Sequence, residues 1–198
     1  MSHVVFLPGA SGAAEFWRPV AERLPAGWVK VLLSWPGAGH EPHDESVRSF
    51  DDLVTAAAAA LDSPSDVVAQ SMGGAVAIGL ALRHPARVRR LVLAATSGGL
   101  DMAGLGGADW RAEYRELYPN AAPWITGERP NHTDAIKDLA APALLLWGDA
   151  DPISPVSVGA RLAGLLPAST LEIIAGGDHQ FAHERPDAVA RLIAAHLG

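Results

Sequence analysis

Short, mostly apolar runs alternate along the chain with longer stretches in which apolar residues recur every three or four positions. Val4–Leu7, Val29–Leu33, Asp66–Ala69, Val88–Ala95, Ala143–Trp147 and Leu171–Ile174 read as six strands. Pro8-Gly9 and Pro36-Gly37 supply turns after the first two. Phe16–Leu24, Met72–Arg83, Ser157–Leu166 and Pro186–Leu197 carry helical spacing, and Ser46 is the N-cap expected for a helix from Val47 to Leu61. Strands that are apolar on both sides and separated by helices indicate a parallel sheet covered on both faces. With right-handed crossovers, the expected fold class is α/β: a doubly wound, mainly parallel sheet of about six strands.

The rhythm breaks once. From Thr96 to about Asp138 no strand is expected, and the composition turns to Gly, Trp, Tyr, Asn and Pro. Asp109 is the expected cap of a short helix Trp110–Tyr118, stopped by Pro119. Irregular segments of this length inside a compact domain are either disordered or functional. Trp110, Tyr114, Tyr118 and Trp124 argue against disorder, so residues 1–198 are expected to form a single domain with a lid insertion at about 96–138.

Composition narrows the function. With 49% hydrophobic and 19% charged residues, the 198-residue chain can bury a full core. Fifteen basic against 22 acidic residues give a net charge of −7, and only Arg87, Arg89 and Arg90 bunch together, which argues against a nucleic-acid partner. The absence of cysteine removes disulfides, thiolate metal sites and cysteine nucleophiles. The first residues do not show a basic stretch followed by a long apolar run, and the stretch Gly73–Leu82 is far short of a membrane span. The expectation is a cytoplasmic protein that acts on a small molecule without a membrane, a metal or a cofactor. His40-x-x-His43-Asp44 lacks a third well-placed ligand, and Gly9-x-x-Gly12 lacks the lysine of a phosphate loop.

The strongest local signal is Ala69-Gln70-Ser71-Met72-Gly73-Gly74-Ala75, a serine between a strand and a helix amid small residues. One reading is a plain N-cap. The other is a strained strand-to-helix turn that lifts a nucleophile above the sheet, with helix N–H groups beneath it for a developing oxyanion.

Taken together with other segments, this motif resembles the nucleophile elbow Gly-x-Ser-x-Gly of the α/β-hydrolase fold family, with Ala69 in place of the first glycine. Leu7-Pro8-Gly9-Ala10 resembles that family's oxyanion loop, with proline where histidine is usual. Trp35-Pro36-Gly37-Ala38-Gly39 resembles its Pro-Gly-x-Gly turn. Trp147-Gly148-Asp149-Ala150-Asp151 resembles its acid loop, and Gly176-Gly177-Asp178-His179 its histidine loop. The resemblance implies a reduced α/β-hydrolase fold and a Ser71–Asp151–His179 triad, in the family's chain order. It further implies backbone oxyanion donors at Ala10 and Met72. Asp149 and Asp178 stay open as rival acids. Trp35, Trp110 and Trp124 are the aromatics expected near the substrate, whereas Trp17, Trp28 and Trp147 are expected to pack in the core.

The implied activity is hydrolysis of a small ester, thioester or amide through an acyl-enzyme on Ser71, in a rather open pocket. Two alternatives stand beside it. The same triad serves other chemistry, including C–C cleavage, lyase work and cofactor-free peroxidation, and the fold also suits a ligand sensor or scaffold with weak activity.

Overall fold

The computed structural model describes residues 2–198. Six parallel strands, β1 (His3–Leu7), β2 (Val29–Leu32), β3 (Ser65–Gln70), β4 (Val88–Ala94), β5 (Ala143–Gly148) and β6 (Ser169–Ile174), form one sheet in the order β2-β1-β3-β4-β5-β6. Alternation along the central strands explains their unbroken apolar character. Val5, Leu7, Val67, Ala69, Leu91, Leu93, Leu145 and Trp147 point into one core. Val4, Phe6, Val68, Val92, Leu144 and Leu146 point into the other. Helices α2 (Phe50–Ala59), α3 (Met72–Arg83) and α5 (Val156–Leu165) close the first face. Helices α1 (Arg18–Ala21), α6 (Phe181–Glu184) and α7 (Pro186–Leu197) close the second. The remaining helix, α4 (Arg111–Leu117), lies within segment 96–138.

Three elements depart from the sequence expectation. The helix expected from Val47 begins at Phe50, because Ser49, and not Ser46, caps it. Ser49 Oγ accepts from the Asp52 amide, while the Asp52 carboxylate accepts from the Arg48 amide and the Ser49 hydroxyl, a reciprocal box. Ser46 is held instead by Asp44. The helix expected over Phe16–Leu24 is split into a 3-10 turn (Ala14–Phe16) and the single turn α1, since Pro19 has no N–H for a continuous ladder. Asp109 stands one residue outside the cap position of α4, where its carboxylate accepts from the Arg111 amide.

Topology decides where the loops meet. The chain enters at β1, runs out to β2 at the edge, and returns to β3 on the other side of β1. Such a switch point opens a crevice at the carboxyl ends of β1 and β3. The turns after these two strands, Pro8–Ala10 and Ser71, therefore stand side by side.

Candidate active site

Ser71 joins β3 to α3 with φ 50° and ψ −121°, a conformation that a non-glycine residue holds at a cost of roughly 1–3 kcal/mol. Its backbone is pinned at both ends. The Ser71 amide donates to Ala94 O (3.0 Å), and Ser71 O accepts from the Gly74 amide (3.0 Å) and Thr96 Oγ1 (2.5 Å). Gly73 and Gly74 are needed for close approach. A Cβ on Gly73 would stand 2.4 Å from Pro8 O and 2.7 Å from Leu7 O, and one on Gly74 would meet Thr96 Oγ1 at 2.3 Å. Ala69, where the resembling motif has glycine, fits as an ordinary buried residue of β3.

The acid and histidine loops, after β5 and β6, are stitched together. A Cβ on Gly148 would lie 2.1 Å from Gly177 O, and the Ala150 amide donates to that same carbonyl at 2.9 Å. Asp149, one rival acid, is a brace between the loops, its Oδ1 accepting from the Gly176 amide. Asp178, the other, accepts from the Gln180 amide within its own turn. Asp151 is buried, and its Oδ1 accepts from the Ile153 and Ser154 amides at 2.8 and 3.0 Å. Its Oδ2 lies 2.7 Å from His179 Nδ1. Because an ionised carboxylate only accepts, Nδ1 carries the proton and Nε2 is left to accept from Ser71 Oγ, 3.0 Å away. The structure thus brings Ser71, His179 and Asp151 into one hydrogen-bonded chain.

The Ala10 and Met72 amides flank this serine. Among the described residues, neither donates to a protein acceptor. Ala10 follows Gly9, whose Cα sits against Gln70 and Ser71 so closely that a Cβ there would come within 3.2 Å of Ser71 Cβ. The Ala10 carbonyl is held by a residue of the inserted segment. Tyr114 in α4 donates its hydroxyl to Ala10 O and accepts from the Gly39 amide, both at 2.8 Å. Burial pushes the Tyr114 phenol up from its ordinary value, so it stays a donor throughout the working range of pH.

Ser71 and His179 line two cavities that open to solvent, of about 450 and 220 Å³. Trp110 stands between them and lines both. The smaller cavity is walled by α4 through Tyr114 and Leu117, and by Tyr118 just after it. The larger is walled by Leu100, Met102, Arg111, Arg129 and Ile153. The other two tryptophans expected near the substrate lie elsewhere. Trp35 is fully buried in the core, its indole N–H donating to Pro8 O at 2.8 Å, so it supports the Pro8–Ala10 turn from behind. Trp124 packs against the same core and does not line either cavity. Trp17 and Trp147 are core residues, and Trp28 packs half-buried against the second core.

Sequence reasoning missed four residues here. Thr96 and Gln70 tie the elbow to its neighbours, Gln70 by donating to His179 O at 3.2 Å. Tyr114 and Arg129 come from the irregular segment, where no motif signals a role. His43 Nε2 donates to Asn120 O and His40 packs edge-on against Tyr118, and among the described residues no cluster of three or more metal-ligating side chains occurs.

A family model described as "Alpha/beta hydrolase family" matches residues 4–192. The chain is 34% identical to a pimeloyl-[acyl-carrier protein] methyl ester esterase of Neisseria meningitidis serogroup B, over 98% of this chain and 68% of that protein. It is 26% identical to a 2-hydroxy-6-oxononadienedioate/2-hydroxy-6-oxononatrienedioate hydrolase of Burkholderia vietnamiensis, over 96% of this chain and 83% of that protein. Among solved structures, a thermophilic esterase from Thermogutta terrifontis superposes with a TM-score of 0.80 at 21% identity, covering 98% of this chain and 89% of that one.

Proposed function

The chain belongs to the alpha/beta hydrolase family and is a hydrolase, and from that premise we propose that it cleaves a small carboxylic ester through an acyl-enzyme on Ser71. The observation that carries this reading is the continuous chain from Ser71 Oγ through His179 to Asp151, at 3.0 and 2.7 Å. His179 Nε2 takes the hydroxyl proton as Ser71 Oγ bonds to the ester carbonyl carbon. The resulting oxyanion is received by the Ala10 and Met72 amides, and Asp151 holds the imidazolium in place. Collapse breaks the bond to the alkoxide leaving group, which departs with the proton from His179. A water molecule then repeats the sequence on the acyl-enzyme, releasing the acid and restoring Ser71.

Segment 96–138 is read as a lid, because α4 and its flanking residues wall both cavities. Cytoplasmic residence fits the absence, among the described residues, of any helix long and apolar enough to cross a membrane. A second reading is C–C bond hydrolysis by the same residues, favoured by the likeness to the Burkholderia enzyme.

Turnover of short-chain 4-nitrophenyl esters by the wild type, Ser71→Ala and His179→Ala proteins tests the proposal. Each substitution should lower kcat by roughly 10⁴-fold or more while the protein stays folded. Undiminished turnover in Ser71→Ala would remove the proposal.

A further inference from the structure

Arg129 enters the wall of the larger cavity from the irregular segment, and its charge has no counter-ion in the protein. Its Nη2 donates to Ile125 O, while Nη1 is buried and without a hydrogen-bond partner. The guanidinium carbon lies over the Phe50 ring at 5.4 Å and the Trp110 ring at 5.5 Å, which covers its faces with apolar surface. None of the ion pairs among the described residues includes it. Its titratable neighbours are Arg111, which opposes its charge, and the Tyr114 phenol, which is neutral at working pH. The cavity's own carboxylates are occupied elsewhere. Asp109 pairs with Arg111 at 3.0 Å, and Asp101 accepts from the Ala103 amide, both on exposed side chains. Loss of water pulls the Arg129 guanidinium down to about 10, so it is still a cation at neutral pH.

A partly buried cation without a carboxylate is costly, and a structure that keeps one beside a reactive serine has an unmet demand for an anion. We propose that the substrate carries a carboxylate remote from its scissile bond, and that Arg129 selects it. The substrate class is then the monoester of a dicarboxylic acid, the ester end at Ser71 and the free carboxylate at Arg129. Arg129 lines the larger cavity, and a planar carboxylate matches the in-plane N–H groups of its guanidinium that Ile125 O does not occupy. Trp110 serves this arrangement from both sides, as the wall between the cavities and the face on which Arg129 rests.

The inference rests on the reading of Ser71 as nucleophile, so its test is split. In the first arm, the Ser71→Ala protein is titrated calorimetrically with the monomethyl esters of succinate, glutarate and adipate. The methyl esters of length-matched monocarboxylic acids serve as the neutral comparison. At least one acid ester should bind about tenfold or more tightly than its neutral match, as expected for a charge-assisted pair. Replacing Arg129 in the same background by Met or by Gln should bring the ratio towards one, and Lys should keep part of it. Equal affinities across the whole series overturn the proposal, whether or not the Arg129 variants fold. In the second arm, the corresponding 4-nitrophenyl esters are tested for Ser71-dependent turnover. Its failure, with the binding preference intact, removes the reading of Ser71 and leaves the carboxylate subsite standing.

Discussion

A methyl group added to Gly73 would strike two main-chain carbonyls, at 2.4 and 2.7 Å, whereas one added to Gly104 or Gly106 would meet nothing within 4 Å. The first glycine belongs to the first turn of α3, the other two to segment 96–138. The two regions frame the same cavities but hold their residues in different ways. At the strand ends, position is set mainly by backbone against backbone, with Ser71 pinned by Ala94 and Gly74 and Gly148 pressed on Gly177, and the Asp151 carboxylate is held by two main-chain amides. Among the described residues, segment 96–138 has two main-chain bonds to the rest of the fold, from the Ala108 amide to Pro152 O and from the Ala122 amide to Gly37 O. Beside them single side chains reach across, as Tyr114 does to Ala10 and Gly39. On the proposed function, chemistry that needs ångström precision sits at the strand ends, and selection among substrates sits on the half that can change residue by residue.

This contrast can be broken most severely at Gly73. Gly73→Ala should displace the Pro8–Ala10 turn and lower kcat on an aryl ester about 100-fold or more, the scale of losing an oxyanion donor. Gly104→Ala carries only the strain of a positive φ, about 1–2 kcal/mol, which a thermal melt would register without any change in kcat. Equal kinetic effects at the two positions would erase the distinction.

Tyr114 is one of the places where the two regions touch. Tyr114→Phe leaves the Ala10 carbonyl and the Gly39 amide without their partner, at about 1–3 kcal/mol each if water cannot replace the hydroxyl. Because Ala10 is a proposed oxyanion donor, kcat should fall about tenfold, with KM changing less. A fall in KM-dependent terms alone would make Tyr114 a mere wall of the pocket.

The smallest expected effect concerns His132, which packs from segment 96–138 against Gly79 and Gly99. Burial and the charge of Arg83 hold it below the ordinary imidazole value of 6.5, against a weaker pull from Asp51. The unfolded chain therefore binds this proton more readily, and stability rises with pH across the window. Its contribution is full above about 6.5 and is lost as the pH falls through the depressed folded value. Urea titrations at pH 7.5 and pH 5 should show this loss in the wild type and a smaller one in His132→Gln.

The difference between the regions also governs what the sequence makes legible. The strands and α3 follow from period and punctuation, with α3 ending where Met72–Arg83 was expected. The chain from Ser71 to Asp151 to His179 lies on three short motifs, each at a strand end, so local spacing suffices to find it. Asp149 and Asp178 could not be set aside locally, since their roles depend on which amide each carboxylate reaches. Trp35 sits beside a loop motif yet points inward, because the Pro8 carbonyl offers its indole a buried acceptor. Tyr114 and Arg129 act through partners dozens of residues away, 104 positions in the case of Tyr114 and Ala10, and no local pattern records such a pairing.

The most direct measurement is mass spectrometry of the protein after treatment with a fluorophosphonate, which captures a serine that can be activated as a nucleophile. A single adduct on the peptide bearing Ser71 is expected, forming far more slowly in folded His179→Ala protein. An adduct on a different serine, or none on folded wild-type protein, would contradict the account.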